Sequence, residues 1–553
     1  MKSKKETSTP ESQPPRPRVA ILADIASLGT AVRGTLSEKP RRLADGSVRV
    51  YHQLQHWENG RNQTIHVPER LVGAFRAATA EGRRLDALAD ELSARDTQTV
   101  LADGAPKKKT HEIIARLSGE LRRICEAADE DIASNGLGCT KQLEERLESA
   151  LDKAGCGLVE ALLARDSAQI PGDAPRPGET FAGRRKRTVD FLFGPVGIER
   201  NCYHDAQKET CRFPMDEALG LMRGVSPAVA ARACRQAALE PFDDASETCG
   251  SLSGTRMSAD RIRAIAESMR GAAEDFLDNA TTPEAKRPAC VVVEADGKGA
   301  PLRRKELEAA GARGKGEDGV AKTREVKVGA IFSFTPNPGE GKPPERDADS
   351  TRYRLSTKTA DEFGEELWHD FDARFPGEPP LTLFISDAAA GILNIRSNWF
   401  PFAVGIIDVN HATEHLGSVL DACGFAAKDK ARDGEFKKWR AWLLAGKVEE
   451  IIREAESQCV DADACDKALH YFREGKPFMR YAEYRAKGWF IGSGVIEGAC
   501  KNVVAERFCR SGMFWSGKGL EAMLPLRAIV KSGRYAAFWQ HVLRGRRQIV
   551  CAA

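Results

Sequence analysis

Two short apolar runs in the second half of the chain each end in an aspartate. They are Val291-Val292-Val293-Glu294-Ala295-Asp296-Gly297 and Leu381-Thr382-Leu383-Phe384-Ile385-Ser386-Asp387, and both read as strands. A third acid, Glu497, stands in the first turn of a small-residue, apolar helix start that begins at Gly492. A basic, aromatic segment, 507–516, follows it. A carboxylate placed where a helix meets a packed core is costly unless it is paired, protonated or bound to a metal. Three acids in this order suggest a metal-dependent phosphoryl-transfer site.

The rest of the chain divides around that region. Its 553 residues imply three or four domains at about 150 residues each. Residues 1–18, rich in Lys, Ser and Pro without an apolar stretch, read as a disordered tail and not as a signal peptide. Residues 19–170 read as a small β unit followed by helices, a dimerisation or DNA-binding element. Its two strands, 51–57 and 64–68, flank an Asn59-Gly60 turn. Helical stripes follow, such as Ile113, Leu117, Leu121 and Ile124, with breaks at 103–109 and 135–138. Beyond the Pro/Gly-rich linker 171–178, residues 179–285 read as a β-hairpin and three short helices. A Gly254-Thr255 turn before the capping Ser258 allows a helix-turn-helix, whose third helix would offer Arg261 and Arg263 to DNA. Plain scaffold is the other reading of that unit. Residues 286–425 carry strands at 290–296, 326–334, 353–356, 381–386 and 403–409, with helices at 360–375 and 388–398. A charged helical insertion, 426–488, precedes the helix of Glu497 and a basic C-terminal part, 489–553.

A net charge of +3 means that any nucleic-acid surface must come from local patches. Four clusters qualify: Lys107-Lys108-Lys109, Arg184-Arg185-Lys186-Arg187, Arg303-Arg304-Lys305 and 544–547. The 14 cysteines contain no C-x-x-C pair and read as reduced thiols of a cytosolic protein. No apolar run is long enough to span a membrane.

Phosphodiester chemistry needs charge neutralised on the attacking and leaving oxygens, which two divalent ions about 3.5–4 Å apart achieve. Three carboxylates from separate elements suffice for Mg²⁺, which keeps waters and substrate oxygens as further ligands. Asp296 and Asp387 can meet if their strands are neighbours. Glu497 can reach them from a helix over the sheet, with Gly492, Gly494, Gly498 and Ala499 allowing close approach. The competing reading makes Asp296 a turn residue, Asp387 a helix N-cap and Glu497 a surface side chain. A second cluster, Asp408, His411, Glu414 and His415, holds a histidine pair at i,i+4 that could bind a metal. A structural or phosphate-contacting role is its alternative. Asp408 is the next candidate ligand after the three acids, and Glu294 a weaker one. Near the helix of Glu497, Lys501, Arg507, Arg510 and Lys518 interleave with Trp489, Phe514 and Trp515, a pattern that suits phosphate contact and base stacking. Core packing of Phe508 and Trp515 is the rival.

Four blocks carry a family resemblance: Glu294-Ala295-Asp296-Gly297, Phe384-Ile385-Ser386-Asp387, the stretch 406–416 and the stretch 492–516. Across residues 180–530 the chain resembles insertion-sequence DDE transposases of the Kra group. The resemblance implies an α/β multidomain protein with an RNase H-like mixed-sheet core. In it Asp296, Asp387 and Glu497 would be the catalytic, metal-binding triad for two Mg²⁺ or Mn²⁺ ions. It further implies DNA partners (terminal repeats and target), a homodimer or higher synaptic assembly, and a bacterial, nucleoid-associated cytoplasmic setting. Relatives carry Gly and Trp after the second aspartate, where this chain has Ala388-Ala389-Ala390-Gly391. That departure leaves open a domesticated, non-catalytic DNA-binding descendant. A nuclease of the same core without strand transfer is the other alternative.

Overall fold

The computed structural model describes residues 17–42, 47–58, 61–103, 108–135, 140–163, 170, 172–252, 254–309, 322–339, 343–426 and 430–552. The expected tail, the Asn59-Gly60 turn and the Lys107 cluster fall wholly or partly outside them. The chain forms two compact units, Met1–Arg116 and Leu117–Ala553.

The first unit holds a three-stranded antiparallel meander: β1 (Thr35–Arg42), β2 (Val48–Glu58) and β3 (Arg61–Val67). Two strands were expected, and β1 is the addition. Its Ser37-Glu38-Lys39-Pro40-Arg41-Arg42 stretch shows no apolar alternation, and its proline is tolerated because β1 is an edge strand. Leu54, Val67 and Val72 form the core beneath it, closed by Phe75 on the helix Val72–Asp103.

In the second unit the helix Thr140–Leu163 precedes a second antiparallel sheet, β4 (Glu179–Phe191), β5 (Gly194–Asp205) and β6 (Thr210–Arg212). β4 and β5 form the expected hairpin, but its turn is Leu192-Phe193, and Gly194 and Pro195, expected in the turn, open β5, with Gly194 at a φ of 134°. Three helices follow: Pro227–Leu239, Phe242–Leu252 and Ala259–Glu267. Ser226 and Ser258 cap the first and third through backbone amides of Val229 and Arg261.

The large sheet contains β7 (Cys290–Pro301), β8 (Thr323–Thr335), β9 (Glu345–Arg346), β10 (Arg352–Ser356), β11 (Leu381–Ser386) and β12 (Val404–Ile407). Its main order is β10-β8-β7-β11-β12, with β9 paired to β8. β7, β8 and β10 pair antiparallel, whereas β11 runs parallel to both β7 and β12. The helices Ala360–Arg374 and Ala390–Trp399 cover one face, against Val291, Val293, Ala295 and Phe384. The helices Val409–Ala422, Lys430–Leu444, Val448–Gln458 and Ala462–Gly475 cover the other, against Val292, Leu383, Ile385 and Ile406. The strands are therefore apolar on both faces, as their continuous hydrophobic runs require.

Two expectations are corrected here. The three small helices do not form a separate module. Val229, Ala233, Ile262, Ile265 and Phe276 share one core with Ile496, Val503, Leu520, Met523 and Phe538 from the C-terminal helices. They pack in the core that supports the helix that carries Glu497. The thiols are not all reduced either, since Cys459 and Cys465 form a disulfide between two helices of the insertion. No helix among the described residues is long and apolar enough to cross a membrane.

Candidate active site

The register of the parallel strands brings the acids to one level. Ala295 pairs with Ser386, and Ser386 with Ile407. Asp296, Asp387 and Asp408 are the next residue along each chain segment, so they stand side by side where β11 and β12 end, with Asp296 within the longer β7. In open α/β sheets the carboxyl ends of the strands are where ligands bind. Side chains alternate along a strand, so Glu294 and Asp296 share the face of Val292. That face meets the chain returning at Gly492.

Asp387 does not cap a helix. Its Oδ1 accepts the Ala389 amide at 3.2 Å, and the next helix begins at Ala390. Burial holds its carboxyl above the usual range, and the Asp296 charge adds to that, against the Ala389 amide and His411. Asp296 is not a turn residue, because β7 continues to Pro301. Its Oδ1 accepts the Gly297 amide at 2.6 Å, and its Oδ2 accepts the Cys500 thiol at 3.2 Å. Glu497 is half-buried, and its carboxylate has no hydrogen-bond partner among the described residues.

Glu497 rides on a helix made of three stretches: α Gly494–Ala499, π Cys500–Ala505 and α Glu506–Phe508. Two buried acids fix where that helix begins. Glu294 accepts the Ile496 amide at 2.6 Å. Asp408 accepts the amides of Asn410 (2.6 Å) and His411 (2.9 Å) on one oxygen. On the other it accepts the Ser493 hydroxyl at 2.7 Å and the Ser493 amide. Those bonds occupy both carboxylate oxygens of a fully buried side chain. Asp408, expected as a further metal ligand, is thus a clamp that caps the helix Val409–Ala422 and holds Ser493 beside it. Asp408→Ala should lower unfolding free energy by about 2–4 kcal/mol, read by chemical denaturation, because it leaves a buried cap and a buried serine without acceptors.

Glu294 is almost wholly buried, and burial pushes its pKa from the ordinary 4.5 up to about 8, aided by Asp408 and Glu497 and opposed by the Ile496 amide. Between those values the folded chain keeps a proton that the unfolded chain has lost. Stability of the metal-free protein should therefore fall as pH rises from about 4.5 to about 8, by about 1.4 kcal/mol per unit. Glu294→Gln should flatten that slope, as measured by denaturant midpoints across the window. The acid was readable in sequence as a charge inside a valine run, two residues from Asp296.

The histidine pair does not assemble a second site. His415 stacks on the Tyr471 ring at 3.7 Å, and His411 Nδ1 lies 3.6 Å from Glu414. Among the described residues no three His, Cys, Asp or Glu side chains converge tightly enough to enclose a metal ion. Clustered carboxylates repel when nothing neutralises them. The donor set itself fits a hard divalent cation. Asp296, Asp387 and Glu497 offer carboxylate oxygens, and among the described residues Glu497 and the Oδ2 of Asp387 have no hydrogen-bond partner.

The residues expected on DNA divide sharply. Lys501 and Arg510 are exposed, Arg510 holding Asp244 at 3.3 Å. Arg507 is fully buried instead. It donates to the Ala237 carbonyl at 2.7 Å, lies among the rings of Phe242, Phe508 and Trp515, and is lowered to about 9 by burial. Trp515 is core as well, its Nε1 donating to the Phe508 carbonyl at 3.1 Å. Arg261 is tied to Asp190 and to the Gly224 carbonyl (3.1 Å), and Arg263 pairs with Asp260 at 2.9 Å. The buried Arg527 escaped sequence reading, although an arginine inside Leu524-Pro525-Leu526-Arg527-Ala528-Ile529 is its own signal.

Comparison with known proteins adds a partial likeness. A search of the curated proteins finds no match. Residues 132–311 match an uncharacterised protein family (UPF0236), a stretch that includes the hairpin, the three small helices and β7 with Glu294 and Asp296, and ends before Asp387.

Proposed function

We propose that this chain is the DNA transposase of an insertion sequence, a DDE enzyme on an RNase H-like core. One observation carries the reading: Asp296 within β7 and Asp387 at the end of β11 stand at one level on adjacent parallel strands, and the helix of Glu497 is pinned to β7 through Glu294 and Ile496. The strand order β10-β8-β7-β11-β12, antiparallel and then parallel, supports it. So do the helical insertion between β12 and Glu497 and the resemblance over residues 180–530.

Asp296, Asp387 and Glu497 would hold two Mg²⁺ or Mn²⁺ ions, which supply charge neutralisation and a nucleophile at neutral pH. The protein's part is placement. Asp408 and Ser493 fix the entry of the helix, Glu294 fixes its first turn, and Cys500 orients the Asp296 carboxylate. The reaction would be cleavage at the element ends, followed by attack of the released 3′-hydroxyl on target DNA, in the bacterial cytoplasm.

The test is an assay with the DNA that flanks this gene, presented as paired ends with a target plasmid and Mg²⁺. End cleavage followed by joined product is the expected result. Cleavage without joining would favour the nuclease, and end binding with neither would favour a domesticated descendant.

A further inference from the structure

A line of contacts runs from the acids along β7 to the segment after the helix of Glu497. Ile496 meets Glu294, Cys500 meets Asp296, and the Cys509 thiol donates to the Gly299 carbonyl at 3.3 Å. The line ends where the Trp515 amide donates to the Pro301 carbonyl at 3.0 Å and the Arg303 amide to the Trp515 carbonyl at 2.9 Å. Leu302 and Trp515 form an isolated parallel bridge, and both side chains are buried. Period-two alternation then turns their neighbours outward. Arg303 is exposed, and Phe514 keeps 63% of its surface in water.

An exposed phenylalanine beside a buried tryptophan has no packing role. The segments that meet at this bridge carry several cations, with Glu306 taken up by the Gly517 amide and Glu308 paired to Arg304 at 2.7 Å. Arg303, Lys305 and Lys518 are exposed and make no ion pair among the described residues. On β7 between Asp296 and Arg303 stands Lys298, whose charge bears on the Cys500 and Cys509 thiols, and Lys501, exposed, follows Cys500. Arg303 lies roughly 20 Å beyond Asp296 at extended-chain spacing. Cations in a row that end on an open aromatic face match a strand with regular phosphates and unpaired bases.

We propose that single-stranded DNA leaves the acids along β7 and stacks a base on Phe514. Arg303, Lys305 and Lys518 then hold its phosphates, and the stacking residue is Phe514 in place of the buried Trp515. The proposal rests on the reading of the site as a DNA-processing centre. Its test is kept separate by measuring binding alone, in EDTA, where no cleavage occurs. Fluorescence anisotropy with a labelled oligo-dT strand and a blunt duplex gives the comparison.

Phe514→Ala should weaken single-strand binding about tenfold, with duplex binding unchanged, and Phe514→Trp should restore it. Lys305→Ala and Lys518→Ala should each reduce the salt slope on the single strand by about 0.7, whereas Phe514→Ala should leave that slope alone. The side chains are exposed, so these variants keep the fold. Single-strand affinity unchanged in Phe514→Ala would overturn the proposal. So would an equal loss on the duplex, which would assign the surface to backbone contact alone. A triad variant that still cleaved DNA would sink the functional reading and leave this binding result standing.

Discussion

Alanine at Asp296, Asp387 or Glu497 is expected to lower metal-dependent cleavage about a thousandfold or more and to leave DNA affinity within about twofold. Each change removes a carboxylate oxygen from the metal-binding edge, where charge neutralisation contributes several kcal/mol, and none removes a cation that meets phosphate. Single-turnover cleavage of an end-labelled duplex measures the first quantity and anisotropy the second. Near wild-type cleavage by Glu497→Ala would remove that residue from the site. Melting curves supply a readout without turnover. On the proposed reading Mg²⁺ would bind the folded site and not the unfolded chain, so millimolar metal should raise the melting temperature of the wild type. The Asp296→Ala/Asp387→Ala pair should lose that response, and in EDTA it should melt no lower than wild type, because like charges no longer crowd the edge. Asp408→Ala should cost stability and only part of the activity, since that side chain acts through Ser493.

The second large effect belongs to Arg527. Its guanidinium is fully buried and donates to the carbonyls of Val503 (2.8 Å), Asn502 (2.6 Å) and Ala238 (2.9 Å), and to the Glu506 carboxylate at 2.9 Å. Two of those carbonyls lie in the π stretch that follows Glu497, and one lies at the end of the helix Pro227–Leu239. Removing the guanidinium strands these acceptors in a dry core and opens a void. Arg527→Ala should therefore lower unfolding free energy by about 3–5 kcal/mol, and Arg527→Lys should recover little, because one ammonium cannot span the same fork of acceptors. Glu506→Gln, at a half-exposed partner, is expected to cost less than about 1 kcal/mol by the same denaturation measurement. A loss in Arg527→Ala no larger than that of Glu506→Gln would show that the buried carbonyls find other donors.

Which parts of this fold could be read in the chain follows from how local each determinant is. β11 was legible to the residue, because six positions, four of them large and apolar, between a proline pair and an aspartate leave no other choice. β7 was cut short at Asp296, since Gly297 and Gly299 look like turn residues, whereas pairing with β8 carries the strand on to Pro301. The acids were visible as chemistry, but their common level depends on the register of β7, β11 and β12, which no local pattern specifies. Arg507 and Trp515 were misplaced for a related reason. An arginine among aromatics reads the same whether it faces phosphate or fills a core, and only the distant Ala237 carbonyl and Phe242 ring decide it. Asp408 likewise resembles a ligand until Ser493 arrives from the far end of the insertion.

The core shared by the small helices and the C-terminal helices has a consequence for synthesis. Arg527 and its acceptor at Ala238 are 289 residues apart in the chain. At about 5–20 residues per second, the helix Pro227–Leu239 leaves the ribosome roughly 15–60 s before its partner exists. During that interval its apolar stripe of Val229, Ala233 and Ala237 can pack on Ile262, Ile265 and Phe276 but lacks the C-terminal half of its core, Leu520, Met523 and Phe538. Glu497 emerges late in the same interval. Asp296 and Asp387 are complete long before the third acid is seated, so a chain still being translated does not yet bring the three acids together.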